Sequence, residues 1–234
     1  MTLPMEHVAL AASETIYPGL YPATVSKLAE DPSSLKRIEV ELDWLATTTN
    51  GTPPKAWAVL ATPYADGKQG FQMLPEIGST VVVGFQAGFL DHPYVVGAMW
   101  NGKTDVPEAF TDKNDKRLIK TRSGSLLEFD DTDGKVAIRI RSAGATEGAK
   151  TNQITLDDAG QSITISSASG ATITLTTAGG VTIDAAATVD VTAASVTVKS
   201  DMSTFTGTIV CDTLIAKGGG VVAPTYTPGA GNTW

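Results

Sequence analysis

If this chain carries out bond chemistry, His92 is where it would start. It sits in Phe89-Leu90-Asp91-His92-Pro93-Tyr94, a carboxylate beside an imidazole, which is half of a hydrolytic relay. The other half is a positioned nucleophile, and no Gly-x-Ser-x-Gly elbow occurs in the 234 residues. His92 therefore reads as a loop residue between two strands. Asp130-Asp131-Thr132-Asp133-Gly134 has the flavour of a calcium loop but lacks the ligand spacing and the bidentate glutamate. It reads better as a hairpin turn joining Leu126–Phe129 to Val136–Ile140. Asp157-Asp158 reads as a corner, not an acid–base pair. Cys211 is the only cysteine, which excludes an intrachain disulfide and fits a reducing compartment; it reads as a buried apolar thiol. No catalytic, metal-ligating or cofactor-binding residue is assigned.

Charge narrows the partners. The chain carries 17 Lys and Arg against 25 Asp and Glu, a net charge of −8, with no basic cluster. A nucleic-acid binder needs a basic stripe to displace counterions, so nucleic acid is excluded as a partner. No apolar run approaches the roughly 18 residues that span a bilayer. The opening Met1-Thr2-Leu3-Pro4-Met5-Glu6-His7 has no basic segment, so Sec-type export is not expected.

The elements that must position these residues change character near residue 110. Ten of the twelve prolines lie between Pro4 and Pro107, and none between 108 and 223. Proline removes a ladder hydrogen bond, so a long proline-free stretch rich in Val, Ile and Thr suits a continuous sheet. Before the boundary, short strands are predicted at 21–27, 36–42, 56–60, 80–85 and 93–99, punctuated by Gly and Pro. Ile38, Val40 and Leu42 alternate onto one face, and Thr80–Phe85 is an apolar run of strand length, buried on both sides if central. Five strands without a helical period fit a small closed barrel or a sandwich.

After the boundary, aliphatic doublets recur about one polar residue. They are Ile154/Leu156, Ile163/Ile165, Ile173/Leu175, Val181/Ile183, Val189/Val191 and Val196/Val198, with starts 9, 10, 8, 8 and 7 residues apart. Thr155, Thr164, Thr174, Thr182 and Thr197 stand between them, with Asp190 in the remaining case. Alternation puts each pair of aliphatics inward and the threonine outward. Weaker versions lie upstream, and degenerate ones at Ile209/Cys211 and Leu214/Ile215. About eleven strands are expected, a needle of about 50 Å at about 4.8 Å per strand. Two aliphatics contribute roughly 1.5–3 kcal/mol apiece on full burial, against about 1–2 kcal/mol of backbone entropy per ordered residue. The aliphatic face must therefore meet others. One chain coiled as a solenoid and three chains wrapped together both satisfy this.

Five segments carry a family likeness in order: Tyr17–Val25, Arg37–Trp44, Ala56–Pro63, Gly70–Phe85 and His92–Gly102. Together with Leu118–Asp131 they resemble the phage baseplate assembly protein V family, the central spikes of contractile tails, and the spike portion of type VI secretion valine-glycine repeat proteins. The resemblance implies an all-β fold: an oligonucleotide-binding-fold (OB-fold) barrel over 17–110 after an N-terminal extension 1–16, a linker 111–117, a trimeric intertwined β-helix or β-prism needle over 118–217, and a tip segment 218–234. It implies a homotrimer, a separate hub protein at the barrel end and a tip protein of the proline-alanine-alanine-arginine (PAAR) repeat type at the C-terminal end. His7 and His92 lie far from that end, so an iron-binding His-x-His apex is not expected. Tyr226 and Trp234 are candidate contacts for the cap.

The function implied is non-enzymatic: a structural spike, assembled in the cytoplasm into a phage baseplate or phage-tail-like particle, that punctures a target envelope mechanically. A trimeric fibre or adhesin is the first rival, and would place exposed aromatics along the prism, where residues 130–204 have none. A solenoid polysaccharide-degrading enzyme is the second, and would cluster acidic and basic groups on one face.

Overall fold

The computed structural model describes residues 15–144 and 150–215. Among these the regular elements are strands, apart from one short 3-10 turn at Gln86–Gly88. Five strands close a barrel in the order β1 (Leu20–Lys27), β2 (Ile38–Glu41), β3 (Lys55–Leu60), β7 (Pro93–Ala98) and β6 (Thr80–Phe85). The predicted strands match these to within two residues at each end. Closure, which the sequence left level with a sandwich, comes from the parallel pairing of Val59 with Tyr94 and Leu60 with Val95. A two-strand hairpin, β4 (Ala65–Asp66) with β5 (Gln69–Gly70), stands out from the β3–β6 connection. Its polar and glycine residues carry no strand signature.

The barrel core is small and aliphatic. Val25, Ile38, Val40, Val81, Val83 and Val95 are fully buried, and Ala23, Ala58 and Leu42 complete the cluster. Val82, expected to be buried on both sides, is half-buried, because a barrel wall is one layer thick and alternate side chains leave it. Tyr17, Tyr21, Trp44 and Phe85 pack together at the pole where β1 begins, Tyr21 stacking on Trp44 at 4.4 Å between ring centres.

Asp31 organises the β1–β2 loop. Its carboxylate accepts from the backbone N–H of Ser33, Leu35 and Arg37 and pairs with the Arg37 guanidinium at 2.7 Å. The arginine holds it well below the ordinary carboxylate range. Asp31→Asn removes the charge from this set of donors. The expected result is faster amide exchange at Leu35 and Arg37 with the barrel strands unchanged, read by hydrogen exchange at neutral pH.

From residue 116 the chain folds back and forth into a second sheet: β8 (Lys116–Lys120), β9 (Leu126–Asp130), β10 (Ala137–Arg141), β11 (Gln153–Asp157), β12 (Ser162–Ser166), β13 (Thr172–Thr176) and β14 (Val181–Asp184). Each strand pairs antiparallel with the next. The first strand of this sheet, β8, begins at Lys116. Strands β9–β13 have both ladder edges filled by their own chain. Among the described residues this sheet has seven strands, against the eleven or so expected, a stack of about 29 Å at about 4.8 Å per step.

Residues 185–215 belong to a second unit, in which no strand is formed among the described residues. Val189, Val191, Val196 and Val198, expected in strands, are exposed and lie in none. They repeat the aliphatic spacing of the sheet, but a strand needs a ladder partner, and the described residues of the chain offer them none. Cys211, expected to be buried, is exposed for the same reason. Tyr226 and Trp234 lie outside the described residues.

Candidate functional site

The aliphatic doublets become two straight rows across the sheet. In one, Phe129, Ile138, Leu156, Ile163, Leu175 and Val181 stand opposite one another from β9 to β14. In the other, Leu127, Ile140, Ile154, Ile165, Ile173 and Ile183 do the same. From β11 to β14 the register that aligns them follows from the spacing: turns of four or five residues return each triplet opposite the last. Ile154, Leu156, Ile163, Ile165, Ile173 and Leu175 are each about 40 % exposed, and Val181 and Ile183 more so. A contiguous aliphatic face of this length is unusual on a free monomer, and marks a surface that something covers. Covering it completely is worth on the order of 1 kcal/mol per side chain in each copy.

The reverse face is polar. Thr155, Thr164, Thr174 and Thr182 line up in register, and the row continues through Arg139 to Glu128. Here sequence reasoning missed a cluster. Arg139 donates to Glu128 and Asp130, both at 2.8 Å, and both carboxylates are almost completely buried. Asp130 is held down to about 2, first by the Thr132 hydroxyl and then by Arg139. The same two bonds on Arg139 raise the guanidinium pKa. The acidic run at 130–134 thus closes a hairpin: Lys135 N–H donates to Thr132 O at 2.8 Å, and Asp130 caps the Thr132 N–H at 3.1 Å. Only the β9–β10 register puts Arg139 opposite Glu128, and no local signal in the sequence carries it.

The remaining candidates stay apart. His92 lies in the β6–β7 connection, its Nδ1 2.9 Å from Asp91 Oδ1, with both side chains exposed. Asp157 ends β11 and accepts from Gly160 N–H at 2.7 Å, a turn contact. Asp157 stands opposite Ala137 on the polar face that carries the Arg139 cluster, but no hydrogen bond or ion pair joins it to Arg139 among the described residues.

A small acidic barrel that runs into a one-sided aliphatic meander defines an assembly module, whose working surface is a face instead of a cleft. The profile of the type VI secretion system/phage-baseplate injector OB domain matches residues 21–100, the barrel. That of the phage baseplate V C-terminal trimerisation domain matches residues 146–203, spanning the later strands and the segment beyond Asp184. Together the two matches take in more than half of the chain, which belongs to the phage baseplate V and contractile-tail spike family. Among curated proteins it is similar to the type VI secretion system spike protein VgrG3 of Vibrio cholerae serotype O1, 24 % identical over 109 residues, 44 % of this chain and 11 % of that protein. It is similar also to the actin cross-linking toxin VgrG1 of Vibrio cholerae serotype O1, 23 % identical over 135 residues, 55 % of this chain and 12 % of that protein. The chain thus matches little more than a tenth of the length of these relatives. The family is one of structural spike and baseplate components of injection particles.

Proposed function

We propose that three copies of this chain form the central spike of a contractile injection particle and that the spike punctures the target envelope mechanically. The observation that carries the reading is the pair of exposed aliphatic rows on a sheet matched in part by a trimerisation domain. Three such faces, turned inward, make a prism whose core is Ile, Leu and Val, with Phe129 at the β9 end. Residues 185–215 then find in the neighbouring copies the ladder partners that the described residues of their own chain do not supply. Val189, Val191, Val196 and Val198 continue the core there as an intertwined segment, so the needle has a stacked part and a braided part. The domain plan follows: barrel 17–110, linker, needle 118–217 and a tip segment 218–234.

The same reading places a hub protein against the barrel, a PAAR-type cap at the C-terminal tip with Tyr226 and Trp234 as contacts, and assembly in the cytoplasm before delivery in the particle. Force transmission, not bond chemistry, is the activity. Cryo-electron microscopy of the intact particle tests it: the chain should lie on the tail axis below the tube as a three-fold needle. Density for this chain on a peripheral fibre would overturn the reading.

A further inference from the structure

Between the last barrel strand and the sheet, residues 107–115 form one wall of a cavity of about 320 Å3. Its apolar side is made by Trp100 and Phe110, 58 % and 79 % exposed, whose rings meet edge to face at 6.0 Å. Leu118 of β8 also lines it. The wall keeps its shape without regular structure. Asn114 N–H donates to Thr111 O at 3.1 Å, and Asp131 N–H donates to Asp115 O at 2.8 Å. Asn114 stands at φ 48°, the left-handed region that asparagine tolerates better than most side chains.

The polar side is nearly balanced in charge. Lys116 Nζ pairs with Glu108 Oε1 at 3.2 Å within the lining, so those two charges offset each other. The Asp115 carboxylate and the Asn114 amide make no side-chain hydrogen bond among the described residues. Lys116 stands opposite Asp130, and Leu118 opposite Glu128, on the polar face of the sheet. The cavity therefore lies on the side away from the aliphatic rows, and covering those rows leaves it open.

These groups select the charge and shape of a ligand. A cation entering here meets the Lys116 ammonium, and an anion meets Asp115 with no free cation to receive it, so a neutral ligand is preferred. A wholly apolar one takes Asn114 and Asp115 from water and gives them no partner. A pyranose meets both demands: one face of its ring is C–H bonds that pack on an aromatic ring, and its rim is hydroxyls that each donate and accept. We infer that this cavity is a binding site for a short neutral saccharide, its ring against Trp100 and Phe110 and its hydroxyls on Asn114, Asp115 and the Glu108–Lys116 pair. Pockets for small ligands run from about 300 to 1,000 Å3, and this one lies at the lower end. All of its lining comes from one chain, so the site is complete without the trimer.

Saturation-transfer difference NMR on the full chain tests this, with neutral trisaccharides of glucose, galactose and N-acetylglucosamine as the probes. At least one should receive saturation, strongest at its ring C–H protons. Phe110→Ala should weaken that sugar roughly two- to tenfold, the scale of one aromatic contact, and Trp100→Ala at least as much. Phe110 is exposed enough that its removal leaves the fold intact. Tyr64→Ala, half exposed and outside the cavity, should change nothing. No transfer to any of the sugars, or transfer that survives both cavity variants, overturns the site. Transfer to an uncharged leucine-rich peptide and to no sugar gives the cavity to a protein partner and overturns it too. Sedimentation of the same samples keeps the claims apart: a trimer that binds no sugar loses only the site, and a monomer that binds one loses only the trimer.

Discussion

Ile165→Asp is expected to abolish the trimer, while Thr164→Asp, one residue away, leaves it intact. Ile165 stands between Ile154 and Ile173 in an aliphatic row, and Thr164 stands between Thr155 and Thr174 on the reverse face. An aspartate at 165 brings three carboxylates towards one apolar axis with no cation to meet them. Desolvating an unpaired carboxylate costs several kcal/mol per ion, and each copy also loses an isoleucine worth roughly 1.5–3 kcal/mol on burial. Since about 1.4 kcal/mol is tenfold in affinity, the variant should sediment as a single chain at micromolar concentration. Thr164→Asp pays only the modest strand propensity of aspartate. Equal behaviour of the two would place the working face elsewhere.

Arg139→Met should be the most damaging substitution on the polar face. It leaves Glu128 and Asp130, neighbours on one face of β9 and almost wholly buried, without their shared cation. Hydrogen bonds to charged groups carry roughly 1.5–3 kcal/mol, and an orphaned buried charge costs more than the bond alone. A loss of roughly 2–3 kcal/mol is expected at pH 7 by urea unfolding. Arg117→Met, which breaks a pair with Asp131 in which both partners are largely exposed, should cost under about 1 kcal/mol.

The pH dependence has a definite sign. In the native chain Asp130 is held at about 2, below its unfolded value of about 3.9, so its contribution is complete above pH 4 and lost as pH falls from about 4 through about 2. In Arg139→Met the Asp130 carboxylate loses the guanidinium that helps to hold it down, so its pKa rises. Protonation then relieves the variant, and its deficit against the native chain should shrink between pH 7 and pH 4. A deficit constant across that range would mean that Arg139 acts only through packing.

What the sequence made legible was what alternation and punctuation encode. Ile38-Glu39-Val40-Glu41-Leu42 announces a half-buried strand, and Gly and Pro mark its neighbours, so the barrel strands fell close to their true bounds. The Ile-Thr-Ile triplets announced a sheet with one aliphatic face, because side-chain direction in a strand follows from parity alone. Pairing is non-local, and there the reading thinned. That β9–β13 fill both their edges within one chain, while Val189–Val198 fill neither, cannot be read from triplets that look alike in the two regions. The Arg139–Glu128–Asp130 cluster was hidden for the same reason: it depends on the length of the turn at 131–136, which sets the β9–β10 register. The β4–β5 hairpin was missed because its four residues, Ala65, Asp66, Gln69 and Gly70, have no preference for a strand and are held by Tyr64 and Phe71 on either side.

The most direct test of the trimeric spike is the solution mass of the purified full chain. Sedimentation equilibrium should return three chains of 24.3 kDa, about 73 kDa, with no change on dilution through the micromolar range. A folded species of 24.3 kDa would contradict it, because the two aliphatic rows would then stand in water with nothing to cover them.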